Sequence, residues 1–184
     1  MRRILTALLI VLPFLAMAAD KQQFKSAVLT TDANGNLAYE KVVPASNNKA
    51  ELYRKMRYWI TANTSSSDLN TLFDDNNHEM IIVSPTLQLN DFKNNSVNTQ
   101  KVSFKLILSF KDNKMRIQAS NFNYFALVGN TLAPVSKPLQ DIDFVLGYQN
   151  PVKRIGELFD QSFASFVATV EKVAAEPAPD LDNW

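Results

Sequence analysis

The chain has 184 residues, of which 46% are hydrophobic, with twelve phenylalanines and only four glycines, a composition typical of a globular core that excludes a disordered or fibrous chain. Nineteen basic residues nearly balance eighteen acidic ones, so no overall charge favours nucleic acid, and nucleic acid is not an expected partner. The lack of cysteine in the sequence excludes disulfides, thiolate catalysis and lipid attachment through a thiol.

The N-terminus has the three parts of a secretory signal peptide. Arg2 and Arg3 precede an almost wholly apolar run that ends at Leu15, and Ala16-Met17-Ala18 supplies small residues for cleavage. This run is shorter than the roughly 20 apolar residues of a transmembrane helix. We therefore expect cleavage of residues 1–18 on export, which leaves a mature chain without a membrane span in the periplasm or outside the cell.

Composition also divides the rest of the chain. Residues 19–25 are polar, and residues 174–184 form an Ala/Pro/acidic tail that contains Trp184. Neither segment has apolar residues spaced for burial, so we expect both to be flexible. Residues 26–173 between them are enough for one α+β domain with a single core.

A hairpin and a helix begin the predicted domain. Asn34-Gly35 readily adopts the positive φ angles of a tight turn, and β-forming residues lie on both sides of it. After Pro44 the apolar residues follow helical spacing over about residues 47–63. One stripe of this helix is expected in the core, including Leu52, Met56, Trp59 and Ile60.

Alternation of apolar and polar residues then predicts consecutive antiparallel strands. They lie around residues 68–74, 79–89, 101–111 and 114–127. In the third of these strands, the side chains from Val102 to Phe110 alternate so that one face meets the core and the other meets water. Residues 128–150 contain two glycines and two prolines, which predicts an irregular excursion with one short strand.

A second amphipathic helix follows Pro151, a residue suited to the first helical turn. Its apolar stripe runs from Val152 to Val173. Because each helix has a single apolar stripe, we expect both helices on the apolar face of one antiparallel sheet, in the order β-α-β(4)-α.

Several segments of the strands and the first helix carry a resemblance to a known family. They are Leu37–Val43, Glu51–Tyr53, Trp59-Ile60, Val102–Leu106 and Lys111–Arg116. In these motifs, over about residues 26–127, the chain resembles the secreted bacterial domain-of-unknown-function family described as having a TBP-like fold. The resemblance implies a curved antiparallel sheet with helices on one side. It implies no catalytic residue, cofactor or activity, and the word TBP refers to shape, so DNA binding does not come with it.

The motifs for catalysis or metal binding are weak. His78 is the only histidine, and no nucleophile turn accompanies it. Asp74, Asn76 and Glu79 offer oxygen ligands at close spacing, but Glu79 stands where a calcium loop requires glycine. We therefore interpret this cluster as a solvated polar turn and expect no catalytic residue, metal or cofactor.

The outer face of the predicted sheet carries an apolar set that lacks a predicted cover. If the inward register of the strands holds throughout, five side chains point away from the helices: Met80, Ile82, Ile107, Phe122 and Tyr124. Two alternatives need no partner. The excursion at residues 128–150 could cover this face, or a bulge near Asn121-Phe122-Asn123 could return the aromatic side chains to the core.

Cations line the same face or its rim, namely Lys101, Lys105, Lys111, Lys114 and Arg116. They either bind an anionic partner or keep the exposed strands soluble. Together these features favour a non-enzymatic binding or interaction module of the cell envelope that uses the free face or edge of its sheet. Its partner would be a protein, an envelope component or a second copy of the chain. The alternative is a cell-envelope hydrolase with paired carboxylates, since two such acids can come from anywhere in a fold.

Overall fold

Eight strands and two long helices are formed by the residues that the computed structural model describes, which are 24–63, 72–75, 80–89, 100–127, 134–142 and 151–177. The strands are β1 (Thr30–Thr31), β2 (Leu37–Pro44), β3 (Leu72–Asp75), β4 (Met80–Val83), β5 (Thr86–Leu89), β6 (Gln100–Lys111), β7 (Lys114–Leu127) and β8 (Pro134–Pro138). The helices are α1 (Lys49–Asn63) and α2 (Pro151–Ala175), and one turn of 3-10 helix, Leu139–Asp141, follows β8.

The long strands β6 and β7 form the centre of one antiparallel sheet. On the edge of β7 that faces away from β6, β2 pairs with residues 114–120 and β8 pairs with residues 123–127. Along the other edge of β6, β4 and β5 follow each other in one continuous register, with a break at Ser84-Pro85. Proline has no backbone N–H to donate, which interrupts the ladder there. The strand predicted at 79–89 is therefore present as two segments.

Two turns reverse the chain at the positions that the sequence indicates. In the β1–β2 hairpin, Gly35 has a φ of 83°, and its N–H donates to the Asp32 carbonyl at 3.0 Å. The Asp32 carboxylate accepts hydrogen bonds from the backbone N–H groups of Asn34 and Asn36. These bonds, chiefly the one from Asn36, lower the pKa of Asp32. Between β6 and β7, Asn113 takes a φ of 60°. Asparagine tolerates this left-handed conformation better than most residues.

Both helices pack on the same face of the sheet. On α1, the buried Tyr53 meets Phe110 of β6 edge-on, with ring centroids 5.7 Å apart. On α2, Phe163 lies 5.4 Å from Phe104 of β6 by the same measure. Each such aromatic pair adds about 0.5–1.5 kcal/mol to the gain from burial. The predicted class, an α+β domain with two helices on one face of an antiparallel sheet, is confirmed, although the sheet has more strands than predicted.

Trp59 is a correction to the predicted helix stripe. Its neighbours Leu52, Met56 and Ile60 are buried as expected, but Trp59 itself is only partly buried and packs at the margin of the core. Its ring lies 6.2 Å from that of Phe166 of α2. The line Leu52, Met56 and Ile60 forms the centre of the buried stripe, and Tyr53, which meets Phe110, flanks it.

A buried lysine joins the two helices at one end. Lys55 of α1 donates to Asn47 Oδ1 at 2.7 Å, to the Ala174 carbonyl at 3.4 Å and to the Glu176 carbonyl. The last carbonyls of a helix lack intrahelical partners and carry partial negative charge, which suits an ammonium group. Burial lowers the pKa of Lys55, against the opposing effect of Glu176 and Glu51.

The edges of the domain extend beyond the predicted limits of 26 and 173. Phe24 is buried and its ring lies 6.0 Å from that of Phe159. At the other end, α2 continues to Ala175 and Ala174 is fully buried. The segments predicted as flexible thus contribute residues to the core, because the sheet and α2 offer apolar surface that composition alone does not reveal. In the described part of the chain, no helix is long and apolar enough to cross a membrane.

The N-terminal segment is fastened to α2 by polar contacts. The Asp160 carboxylate accepts hydrogen bonds from the Ser26 hydroxyl and, at 2.7 Å, from the backbone N–H of Ala27. The backbone of this segment lies so close to α2 that position 156 must be glycine, since a Cβ there would lie 2.7 Å from the Lys25 carbonyl oxygen. Gly156 is therefore a packing glycine inside a helix.

Candidate functional site

A bulge in β7 changes the orientation of two residues of the predicted interaction face. The β6–β7 pairing passes from Lys105↔Ser120 to Ser103↔Asn123, so β7 carries one extra residue opposite Phe104. Asn121 adopts a φ of 55° within this bulge. An extra residue shifts every following side chain to the opposite face of the strand.

Phe122 and Tyr124 consequently point toward the helices, and their assignment to the outer face is wrong. Phe122 is 2% exposed and its ring lies 5.6 Å from that of Phe159, while Tyr124 is 3% exposed. The Tyr124 hydroxyl has no hydrogen-bond partner within the described residues, and burial raises the pKa of Tyr124 to about 12. Of the two alternatives weighed from the sequence, the bulge near residues 121–123 is the one that the structure contains.

Met80, Ile82 and Ile107 remain on the outer face, and we call these three residues the outer patch. Ile82 is directly paired with Ile107, and Met80 lies two residues along β4 on the same side. All three are partly exposed, whereas Ile81 and Val83 between and beside them are buried against the helices.

The described part of the excursion at 128–150 does not lie over this patch. β8 pairs with β7 at the sheet edge, on the far side of β7 from β6. Leu139 and Ile142, which follow β8, are buried members of the core. Residues 128–133 and 143–150 lie outside the described residues, so the remainder of that alternative stays a hypothesis.

Charges surround the outer patch on the same face. Lys105 lies two residues from Ile107 along β6, and Arg116 is paired with Ser109 across from Met80. Glu40 is the carboxylate on the paired stretch of β2, and it accepts a hydrogen bond from Gln118 Nε2 at 2.8 Å. The described outer face thus combines apolar side chains with an excess of cations.

A cleft forms where β2 and β8 meet along β7. Pairing with β2 stops at Ser120 and pairing with β8 resumes at Asn123, so residues 121 and 122 have no strand partner on that edge. The resulting cavity has a volume of about 270 Å³, and we call it the seam cleft. Its lining comprises Asn36, Leu37, Asn121, Phe122, Asn123, Pro138 and Gln140.

Four side-chain amides meet in the seam cleft. Asn123 Nδ2 donates to the Asn121 carbonyl at 3.0 Å, and Asn36 Nδ2 makes a longer bond of 3.4 Å to Asp32. Neither Asn121 nor Gln140 makes a side-chain hydrogen bond within the described part of the chain. No sequence pattern predicted this cleft. Its available signal was Asn121-Phe122-Asn123, two poor strand formers inside a strand pattern.

The other candidate groups give no assembled site. His78, Asn76 and Glu79 lie outside the described residues, and for Asp74 only the strand is described. Among the residues that are described, no group of three or more His, Asp or Glu side chains could hold a metal. Two acids have structural partners instead: Asp160 binds Ser26 and Ala27, and Glu171 binds Lys41 at 2.6 Å.

Comparison with known proteins identifies the fold. Residues 39–125 match a family model described as a domain of unknown function (DUF4468) with TBP-like fold. A TBP-like protein from Parabacteroides distasonis is 20% identical with a TM-score of 0.63, and the match covers 79% of this chain and 97% of that one. A DUF4468 family protein from Bacteroides ovatus is 12% identical with a TM-score of 0.55, covering 83% and 94%. No curated protein matches.

These matches confirm the resemblance read from the sequence and show a TBP-like fold. At these identities the solved structures are informative about the fold alone. The chain therefore contains a domain of unknown function with that fold.

Proposed function

We propose that this domain is a non-enzymatic binding module and that the outer face of its sheet binds an acidic partner protein. The observation that carries the proposal is the position of both helices on the other face, which leaves the outer patch partly exposed among cations. Apolar side chains at the centre of such a patch anchor a partner, and charges around it select the partner and speed association.

The charge pattern indicates the chemistry of the partner. Lys105 and Arg116 flank the outer patch, and Lys101 and Lys111 continue the positive surface along β6. Glu40, the one carboxylate among the described side chains of this face in β2, β4, β6 and β7, is engaged by Gln118. An acidic surface with one or two apolar side chains complements this arrangement.

The module is also proposed to act after export. The motivation is the signal-peptide pattern at residues 1–18 and the polar spacer that follows it. Phe24 is the first described residue and is buried in the core, and residues 19–23 lie between it and the expected cleavage point. Intact-mass measurement of the exported protein tests this proposal, and a species that retains residues 1–18 contradicts it.

The binding proposal is tested with variants that change the face without changing the fold. Partners cross-linked to the wild-type protein in the cell envelope are identified, purified and titrated by calorimetry against Lys105→Glu and Ile107→Thr. The control is Lys153→Glu, the same charge reversal at an exposed position of α2. We expect both face variants to weaken binding by about tenfold or more and the control to bind like wild type.

Salt dependence provides a second measurement. An acidic partner held by Lys105 and Arg116 should bind less tightly as ionic strength rises, because exposed charges are screened. Sedimentation of the protein alone distinguishes self-association, since a dimer disrupted by Ile107→Thr would make a second copy the partner. Equal affinity of wild type and both face variants would contradict the proposed surface.

A further inference from the structure

We infer that the seam cleft binds a neutral saccharide unit. This site is distinct from the outer patch, because its lining shares no residue with Met80, Ile82 or Ile107. The inference therefore goes beyond the proposed function and can succeed or fail independently of it.

The first argument is the break in the sheet edge. β2 and β8 both pair with β7, but their ladders leave a gap opposite Asn121 and Phe122. Elsewhere along this edge, from residue 114 to 127, a neighbouring strand occupies the equivalent position. The gap creates a concave site of about 270 Å³. Pockets that bind drug-sized molecules usually start at about 300 Å³. Because the seam cleft is slightly smaller than that, it has room for one compact ring.

The second argument is the chemistry of the lining. Of the described residues that line the cleft, none carries a charge, and four carry side-chain amides. An amide group presents N–H donors and a carbonyl acceptor side by side. Neighbouring hydroxyl groups of a sugar ring each donate and accept, so they match this lining, whereas an ion finds no opposite charge in it.

The third argument is that two of the amides lack partners within the described chain. The side chains of Asn121 and Gln140 make no hydrogen bond there. Asn123 Nδ2 donates to the Asn121 carbonyl, but Asn123 Oδ1 accepts no hydrogen bond from the described residues. Leu37 and Pro138 add apolar surface for the C–H groups of a ring. A peptide strand is a poorer match, since it needs a row of backbone partners and the gap spans only residues 121 and 122.

The bulge fixes the backbone of Asn121, from which its side-chain amide projects at the cleft. Asn121 is fixed at a φ of 55°, and its carbonyl is bonded by Asn123 Nδ2. The adjacent Phe122 is packed against Phe104 and Phe159, which anchors the bulge to the core. The part of the cleft formed by Asn121 and Phe122 is therefore supported by core packing, as expected for a site that is formed before its ligand arrives.

The test uses two asparagines with nearly the same backbone conformation. Asn121→Gly removes the amide from the cleft and keeps a residue that accepts positive φ. Asn113→Gly makes the same change at a φ of 60° in the β6–β7 turn, away from the cleft. The purified full chain and both variants are titrated with methyl glucoside, methyl galactoside and N-acetylglucosamine, and the side-chain amide signals are followed by NMR.

The expected result is a shift of the Asn121 and Gln140 side-chain amide signals with at least one of these sugars. Asn121→Gly and Gln140→Ala should weaken that affinity by about tenfold, and Asn113→Gly should leave it unchanged. The inference is overturned if none of the sugars shifts these signals in the folded protein, or if Asn121→Gly binds as well as Asn113→Gly. Stronger shifts with glucuronate or glycylglycine than with any neutral sugar would also overturn it, by assigning the cleft to an anion or a peptide.

Discussion

On the helix-facing side of β6, Val102, Phe104, Leu106, Leu108 and Phe110 are all at most 4% exposed, whereas the residues between them on the outer side remain partly exposed. The two sides are made by alternate residues of one strand. The inner side contacts both helices, and the outer side, within the described residues, contacts neither. The difference shows that burial in this sheet is decided by which side the helices occupy.

The largest contrast between the two sides is expected for two phenylalanines of β7. Phe122 packs inward among Phe104, Phe159 and Phe163, and Phe125 lies three residues further on the outer side, paired with Lys101. Phe122→Ala should lower the free energy of unfolding by about 3–5 kcal/mol because it leaves a cavity. Phe125→Ala should lower it by about 1 kcal/mol. Urea denaturation measures both, and equal losses would contradict the register after the bulge.

A second contrast uses the same substitution on the two sides. Ile117 of β7 is fully buried on the inner side, and Ile107 of β6 belongs to the outer patch. Ile117→Thr buries a hydroxyl and loses apolar contact, so it should cost about 2–4 kcal/mol. Ile107→Thr keeps a β-branched side chain on a partly exposed face and should cost under about 1 kcal/mol. Comparable melting temperatures for the two variants would show that something buries the outer patch.

A third prediction concerns Gly156, which lies on the side of α2 that contacts the N-terminal segment. Alanine normally stabilises a helix interior relative to glycine by roughly 1 kcal/mol. Here its Cβ would lie 2.7 Å from the Lys25 carbonyl oxygen, a backbone atom that cannot rotate away. We expect Gly156→Ala to lower stability by about 1–3 kcal/mol and to speed hydrogen exchange at Ala27. A gain in stability would mean that the segment does not dock this closely.

The smallest expected effect has the opposite sign. Tyr124→Phe removes a buried hydroxyl that lacks a partner within the described residues, so stability at neutral pH should rise by about 1 kcal/mol. The ordinary pKa of tyrosine is near 10, and burial raises that of Tyr124 to about 12. Between these pH values the folded protein binds more protons than the unfolded chain, so wild-type stability falls as pH rises.

Tyr124→Phe should lack the part of the loss of stability at alkaline pH that comes from ionisation of Tyr124. Tyr58→Phe is the matched control, since Tyr58 is 65% exposed on α1. Chemical denaturation at several pH values from 8 to 11 measures the difference. A loss of stability in Tyr124→Phe at neutral pH would indicate that the hydroxyl has a partner in the folded protein.

The elements with strong local patterns were predicted well. The alternation of 101–111 predicted β6 to within a residue, and the Asn34-Gly35 and Asp112-Asn113 turns lie where expected. Both helices begin within two residues of their predicted starts. These features depend on side-chain period and turn chemistry, which act over a few residues and are visible in one sequence.

The candidate site was predicted only in part. Met80, Ile82 and Ile107 face outward as expected, and Phe122 and Tyr124 do not, because a single inserted residue at Asn121 inverts the pattern. The sequence allowed either orientation. What selects the inward one is the packing of Phe122 against Phe159 and Phe163, more than 30 residues away along the chain.

The sequence by itself determined the class of the fold, the two helices, the central hairpin and the absence of cysteine chemistry, since each of these follows from composition or from short-range periodicity. Tertiary structure alone decided that the bulge forms, that Phe24 and Lys55 are buried, that position 156 must be glycine and that a seam opens between β2 and β8. Each of these depends on segments far apart in the chain that meet only when the helices settle on the sheet, and close packing there fixes which side chains are inside.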